Sequence, residues 1–213
     1  MTFLSQFEEG LGRYFRRSAG VYAAVTILFM VGVIAGSLAV NALTTAQQTE
    51  LVDYFEVFLR GLTRTADSVP PEEVTTGALQ SYLKTTGLIW VLGATVFGIP
   101  FTGFLLASKG FAVGFAASFL VRELGARGIA FSMVAVLPQN LLAIPALLVV
   151  GASSISFAVA ARAARRKSRQ FSWGREFLGY SLVVFLMALL LMAASLVEGY
   201  VSPALMRFVS RLL

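Results

Sequence analysis

The sequence predicts an all-α fold: a polytopic integral membrane helical bundle of about five transmembrane helices, with one extracytoplasmic amphipathic helical segment. Three observations carry this. Residues 109–167 are almost wholly apolar, broken only by the charged stretch Arg122–Arg127 and the polar triplet Pro138-Gln139-Asn140. A run that long cannot be the core of a 213-residue chain and belongs in lipid. The chain is 57% hydrophobic and only 13% charged, against roughly 25% charged for a soluble domain, which leaves too little charge to cover a water-facing surface. Finally, the runs are apolar all round, where a membrane barrel alternates apolar and polar residues. Residues 1–213 therefore read as a single integral membrane domain.

The chain contains no Cys and no His. That removes thiol nucleophiles, disulfides and every histidine-based metal or triad site. No cofactor is expected. The net charge of +6 flanks the apolar runs and needs no nucleic acid to explain it.

Residues 1–18 form a cytoplasmic N-terminal segment. Phe3, Leu4, Phe7, Leu11 and Phe15 fall at helical spacing. Arg13, Arg16 and Arg17 precede the first span and favour a cytoplasmic N-terminus. The first span runs from about Ala19 to Ala42. It is longer than the roughly 7–15 residues of a secretory h-region, so it reads as an anchor. Gly32 and Gly36 have the spacing that lets a neighbouring helix approach closely, or arise by chance in a Gly/Ala-rich span.

Residues 43–84 read as an extracytoplasmic helical loop. Thr44 with Gln47, and Thr45 with Gln48, fit a capping box. In the helix that follows, Leu51, Phe55, Phe58, Leu59 and Leu62 share one face, as in a helix lying on the membrane or the bundle mouth. Arg64–Val69 reads as a loop. Pro70-Pro71-Glu72-Glu73 starts a second helix, because proline suits a first turn and acids complement the helix dipole. The pair Glu72/Glu73 is a poor catalytic dyad, since adjacent helical residues point about 100° apart.

The second span is expected at about Thr85–Ser108, kinked at Ile99-Pro100 and rich in glycine, with Lys109 marking the return to the cytoplasm. The third, Gly110–Val121, is short and must continue through Arg122 and Glu123; Gly110 and Gly114 again offer close packing. Its rival is a re-entrant half-helix. That would put Arg162, Arg165, Arg166, Lys167 and Arg169 outside, against the positive-inside rule. The fourth span, about Ile129–Ala160, is interrupted by Pro138 and Pro145. Gln139 and Asn140 beside the first proline either satisfy a kink or form a docking or gating point. Residues 162–175 form a basic cytoplasmic loop. The fifth span, about Phe177–Val197, ends in Glu198, and a short tail finishes outside. The N-terminus is thus cytoplasmic and the C-terminus extracytoplasmic.

Several stretches are similar to the stage II sporulation protein M family. They are GVIAGSLAVNALTTAQQTEL after the first span, LKTTGLIWVLGATVFGIP at the second, SKGFAVGFAASFLVRELGARG, VLPQNLLAIPAL and LVEGYVSPALM. The most specific part is LPQNLL with its upstream KGF-x-x-GF. The resemblance implies a non-enzymatic scaffold of the sporulation engulfment machinery at the septal or engulfing mother-cell membrane. It would anchor two peptidoglycan hydrolases, the stage II sporulation proteins D and P. A transporter or channel-type subunit with kinked, Gly-rich helices is the alternative. The absence of an acidic residue inside any expected span weighs against it. An intramembrane enzyme would need histidines, of which there are none, or an aspartate inside a span, where none falls; a Ser–Lys pair such as Ser108 and Lys109 is the remaining route, and adjacent helical residues diverge. The partner-binding or packing candidates are therefore Gly32, Gly36, Leu51, Phe55, Leu59, Gly110, Gly114, Pro138, Gln139 and Asn140. The expected partners are the two hydrolases and the bilayer, with a homo-oligomer also open.

Overall fold

The computed structural model describes residues 3–63, 70–95, 98–167 and 172–212, and all of its elements are helical. In chain order they are α1 (Phe3–Ala39), a 3₁₀ turn (Val40–Ala42), α2 (Thr45–Thr63), α3 (Pro71–Gly93), α4 (Gly98–Leu124), α5 (Ala126–Lys167), α6 (Trp173–Leu196), a π-helical turn (Val197–Val201) and α7 (Ser202–Leu212). Four stretches are long and apolar enough to cross a membrane: Ala19–Ala42, Gly98–Leu124, Gly128–Ala164 and Trp173–Met206.

α5 is the hub. It touches α1, α3, α4, α6 and α7, and 56% of its apolar window is buried inside the bundle against 28% for each of the other three. Its inward residues Ala143, Ala146, Leu147 and Val150 form the core with Val25 of α1, Ile89 of α3, Leu106 of α4 and Leu191 of α6.

α1 and α4 pack side by side in the same direction. Gly32 and Gly36 lie on the backbone of Ala107 and Phe111, while Gly110 and Gly114 lie on that of Phe29 and Val33. A Cβ at any of the four would strike that backbone, which is why this seam is made of glycine. Ser37 and Ser118 hydrogen-bond further along it at 2.5 Å.

Because α1 and α4 are parallel, the chain between them must return along the bundle, and α3 does so. Its first turns meet the π turn, where Gly199 abuts Thr75 and the Pro71 carbonyl. Its last turn meets Tyr180 near the start of α6. α3 is less apolar than the four stretches above, since it carries Glu72, Glu73, Gln80 and Lys84.

This layout corrects the expected second and third spans. No boundary falls at Lys109. The break lies between Gly93 and Gly98, and α4 runs unbroken from Gly98 through Lys109 to Leu124. Pro100 is the third residue of α4, where its missing N–H has no intrahelical acceptor to lose, so it marks a helix start rather than a mid-span kink. Residues 71–84, expected in the polar loop, are the first half of α3 and pack into the bundle. α5 is likewise continuous through Pro138 and Pro145. Thr44 and Gln47 form the capping box that starts α2: Thr44 N–H donates to Gln47 Oε1 at 3.0 Å and Gln47 N–H to Thr44 Oγ1 at 3.4 Å. The C-terminal tail is a helix, with Met206 packed on Leu120 and Phe131.

The expected loop Arg64–Val69 and part of the basic loop, 168–171, lie outside the described residues, as do the side chains of residues 3–18 and 55–63.

Candidate functional site

Two residues that looked like boundaries in the sequence meet in one cavity. Lys109 sits midway along α4, and its Nζ donates to Ser81 Oγ of α3 at 3.2 Å. Glu198 sits in the π turn, and its Oε2 accepts from Tyr82 Oη at 2.9 Å. All four line a cavity of about 170 Å³, together with Asn140 of α5 and Phe29 of α1. The π turn helps to place the acid here: its wider coil bulges between α6 and α7 and carries Glu198 toward α3.

Ser81 and Tyr82 are consecutive on α3, so their side chains diverge by about 100°. One holds the ammonium and the other the carboxylate, and the opposite charges are thereby held apart across the cavity. A charged group at mid-helix in a bundle of this kind costs several kcal/mol unless partners or water meet it, on the order of 3 kcal/mol by insertion scales. Keeping both in one cavity, each with one hydrogen bond to a side chain of α3, leaves further donor and acceptor capacity on each. Among the described residues no group of three or more acids, His or Cys is placed to hold a metal ion.

The far end of α3 is fixed by side chains that donate to its backbone carbonyls. Tyr180 Oη donates to the carbonyls of Ile89 and Trp90, both at 3.1 Å, and Ser154 Oγ donates to Ile89 at 3.1 Å. Trp90 Nε1 reaches Ser181 Oγ at 3.0 Å. The ring of Tyr180 stacks on Phe157 at 5.1 Å.

The sequence candidates fall into four groups. Gly32, Gly36, Gly110 and Gly114 come together with one another, in contacts within the chain; none of the four is left as an open groove for a partner. Leu51 is half-buried on α2, while the side chains of Phe55 and Leu59 lie outside the described residues. α2 is tied to the bundle by polar groups: Arg122 donates to the Val40 carbonyl and to Gln48 Oε1, and Gln48 Nε2 donates to Glu123. The triplet Pro138-Gln139-Asn140 divides: Gln139 Nε2 bonds the Ala135 carbonyl and its Oε1 accepts from Ser202 at 2.8 Å, whereas Asn140 Nδ2 bonds the Val136 carbonyl at 2.7 Å. Neither amide reaches Val134, the carbonyl that Pro138 deprives of its donor.

Sequence reasoning missed Ser81, Tyr82, Lys109 and Glu198. The available signal was Lys109 itself, the lone charge between Lys84 and Arg122.

An all-helical bundle with four membrane-length apolar stretches and a charged cavity between its helices is a multi-pass membrane protein. A family model described as stage II sporulation protein M matches residues 25–203. The chain belongs to that family, and the match includes every helix of the bundle core and all the cavity residues. Comparison with curated proteins and with solved structures finds no match.

Proposed function

We propose that this protein is a non-enzymatic membrane scaffold of the sporulation engulfment machinery, which anchors and localises the peptidoglycan-degrading stage II sporulation proteins D and P at the septal and engulfing membrane. The observation that carries this reading is family membership over residues 25–203. The chain crosses the membrane five times, with α3 as the second crossing. Its 23 residues give about 34 Å of helix at 1.5 Å per residue, enough for a hydrocarbon core of about 30 Å. Its antiparallel run beside α4 supports the same path. The N-terminus is cytoplasmic and the C-terminus extracytoplasmic, with α2 on the outer face beside the ends of α1 and α4.

The test is co-purification. The full-length protein should capture both hydrolases from sporulating-cell membranes and should release no fragments from purified peptidoglycan by itself. Capture of neither hydrolase, or hydrolysis by the protein alone, sinks the scaffold reading. The path is checked by cysteine labelling, since the chain has no native Cys. Pro70→Cys should react with an impermeant maleimide in intact cells and Thr95→Cys only after lysis. Labelling of both from outside would rule out a crossing by α3.

The cavity favours one other reading, a transport subunit, because it supplies the interior acid that the sequence lacked. Solute flux in proteoliposomes that is lost with Glu198→Gln would establish that reading in place of the scaffold.

A further inference from the structure

We infer that the cavity between α1, α3, α4, α5 and the π turn is a binding site for a compact zwitterion, with an oxyanion of the ligand on Lys109 and its ammonium on Glu198.

Charge balance selects the ligand class. Lys109 and Glu198 face the same cavity and their formal charges cancel. A simple cation or anion entering it would bring a net unit charge into a bundle of apolar helices, which is costly. A zwitterion brings none, and each of its poles meets the opposite one.

Geometry supplies the spacing. Lys109 is drawn to Ser81 and Glu198 to Tyr82, on adjacent residues of α3 that point in different directions. The two poles are therefore held by different residues of α3, and both line the cavity. Each retains capacity after its α3 contact. The lysine ammonium has three donors and one goes to Ser81; the carboxylate has two oxygens and one accepts from Tyr82. Asn140 also lines the cavity, and with its Nδ2 on the Val136 carbonyl its amide oxygen remains as an acceptor.

Size limits the ligand. About 170 Å³ is close to a cavity that holds a benzene molecule, which means roughly six to ten non-hydrogen atoms. A free amino acid fits, as does the phosphoethanolamine group of a lipid. A peptide or a sugar chain does not. The route of entry bears on the source. Ser81 and Ala112 are exposed while Tyr82 and Ala143 are buried, so the mouth lies on the α3–α4 seam, at the side of the bundle. A headgroup still attached to its acyl chains reaches such a mouth directly.

The experiment follows thermal unfolding of the full-length protein in neutral detergent. The probes are dihexanoyl phosphatidylethanolamine, glycine and β-alanine, with ethanolamine, inorganic phosphate and dihexanoyl phosphatidylglycerol as controls that carry a net charge. A zwitterionic probe at about a hundredfold excess over its Kd should raise Tm by about 5 °C, and the controls should not. A shift with the lipid but not with soluble probes identifies a headgroup site; the reverse identifies a free small molecule. The doubly substituted, charge-balanced variant Lys109→Met/Glu198→Gln should lose the shift. So should Ala112→Phe, which blocks the mouth and leaves both charges in place. The inference is overturned if no zwitterionic probe shifts Tm at millimolar concentration, if ethanolamine or phosphate alone shifts it as much, or if both variants keep the full shift.

Discussion

The α1–α4 seam and the environment of α3 solve the same problem in opposite ways. Between α1 and α4 the helices touch backbone to backbone, with Gly32, Gly36, Gly110 and Gly114 at the contacts. Lipid offers no hydrophobic drive for one apolar helix to leave it for another, so close packing must supply the attraction. Around α3 the attachments are polar and made by side chains: Tyr180, Ser154 and Trp90 at its last turns, and Ser81 with Lys109 and Tyr82 with Glu198 at its middle. Beside the second set lies a cavity lined by Ala78, Ser81 and Tyr82 of α3. At its glycine contacts the first seam is closed, with backbone where a Cβ would stand. The second is held by side chains and opens beside them, and it carries Lys109 and Glu198.

The largest effect that would separate the two seams is expected from Gly32→Leu with Gly36→Leu. Each side chain must push against the backbone of α4, at about 1–3 kcal/mol apiece. The variant should melt far below the parent in detergent, or fail to accumulate in membranes. Gly77→Ala in α3 meets nothing within 4 Å and should melt unchanged or slightly higher, by about 0.5–1 kcal/mol of helix propensity. Equal effects at both places would erase the distinction. Next comes Tyr180→Phe, which keeps the stacked ring and removes the donor to the Ile89 and Trp90 carbonyls. A loss of about 1–2 kcal/mol is expected, together with faster hydrogen exchange confined to the last turn of α3. Unchanged exchange there would mean that the phenol does not hold the helix end. The smallest difference tests the polar triplet. Gln139→Leu strands Ser202, which is 1% exposed, and should cost about 1 kcal/mol. Asn140→Leu should cost less, below about 0.5 kcal/mol, because the Val136 carbonyl keeps its helical N–H partner. The reverse order of Tm values would place Asn140 in a contact other than the one at Val136.

The helical membrane class, the first span and the glycine pairs were legible because each rests on a local pattern. Sustained hydropathy marks the span, and a four-residue spacing marks the pairs. The capping box at Thr44 was legible for the same reason. The α3–α4 boundary was not. Hydropathy rises at Leu88 and stays high past Lys109, so a window places the span across the break. The punctuation that reveals it is Gly93, Gly98 and Pro100, read as a helix start. The cavity was hidden for a different reason. Ser81, Tyr82, Lys109 and Glu198 come from three elements as much as 117 positions apart (198 − 81), and only the packing of α3 against α4 and the π turn brings them to one level.

The parallel pairing of α1 with α4 also sets a timetable for biogenesis. The contact of Gly36 with Phe111 joins residues 75 positions apart (111 − 36). At roughly 5–20 residues per second of synthesis, α1 waits for about 4–15 s before its partner exists. Throughout that interval the glycine face, which bulky side chains cannot fill, stands in the membrane uncovered by its own chain. The first helix of the bundle therefore stands without its own partner until α4 is made, and an insertase or another helix that shelters Gly32 and Gly36 would act in that window.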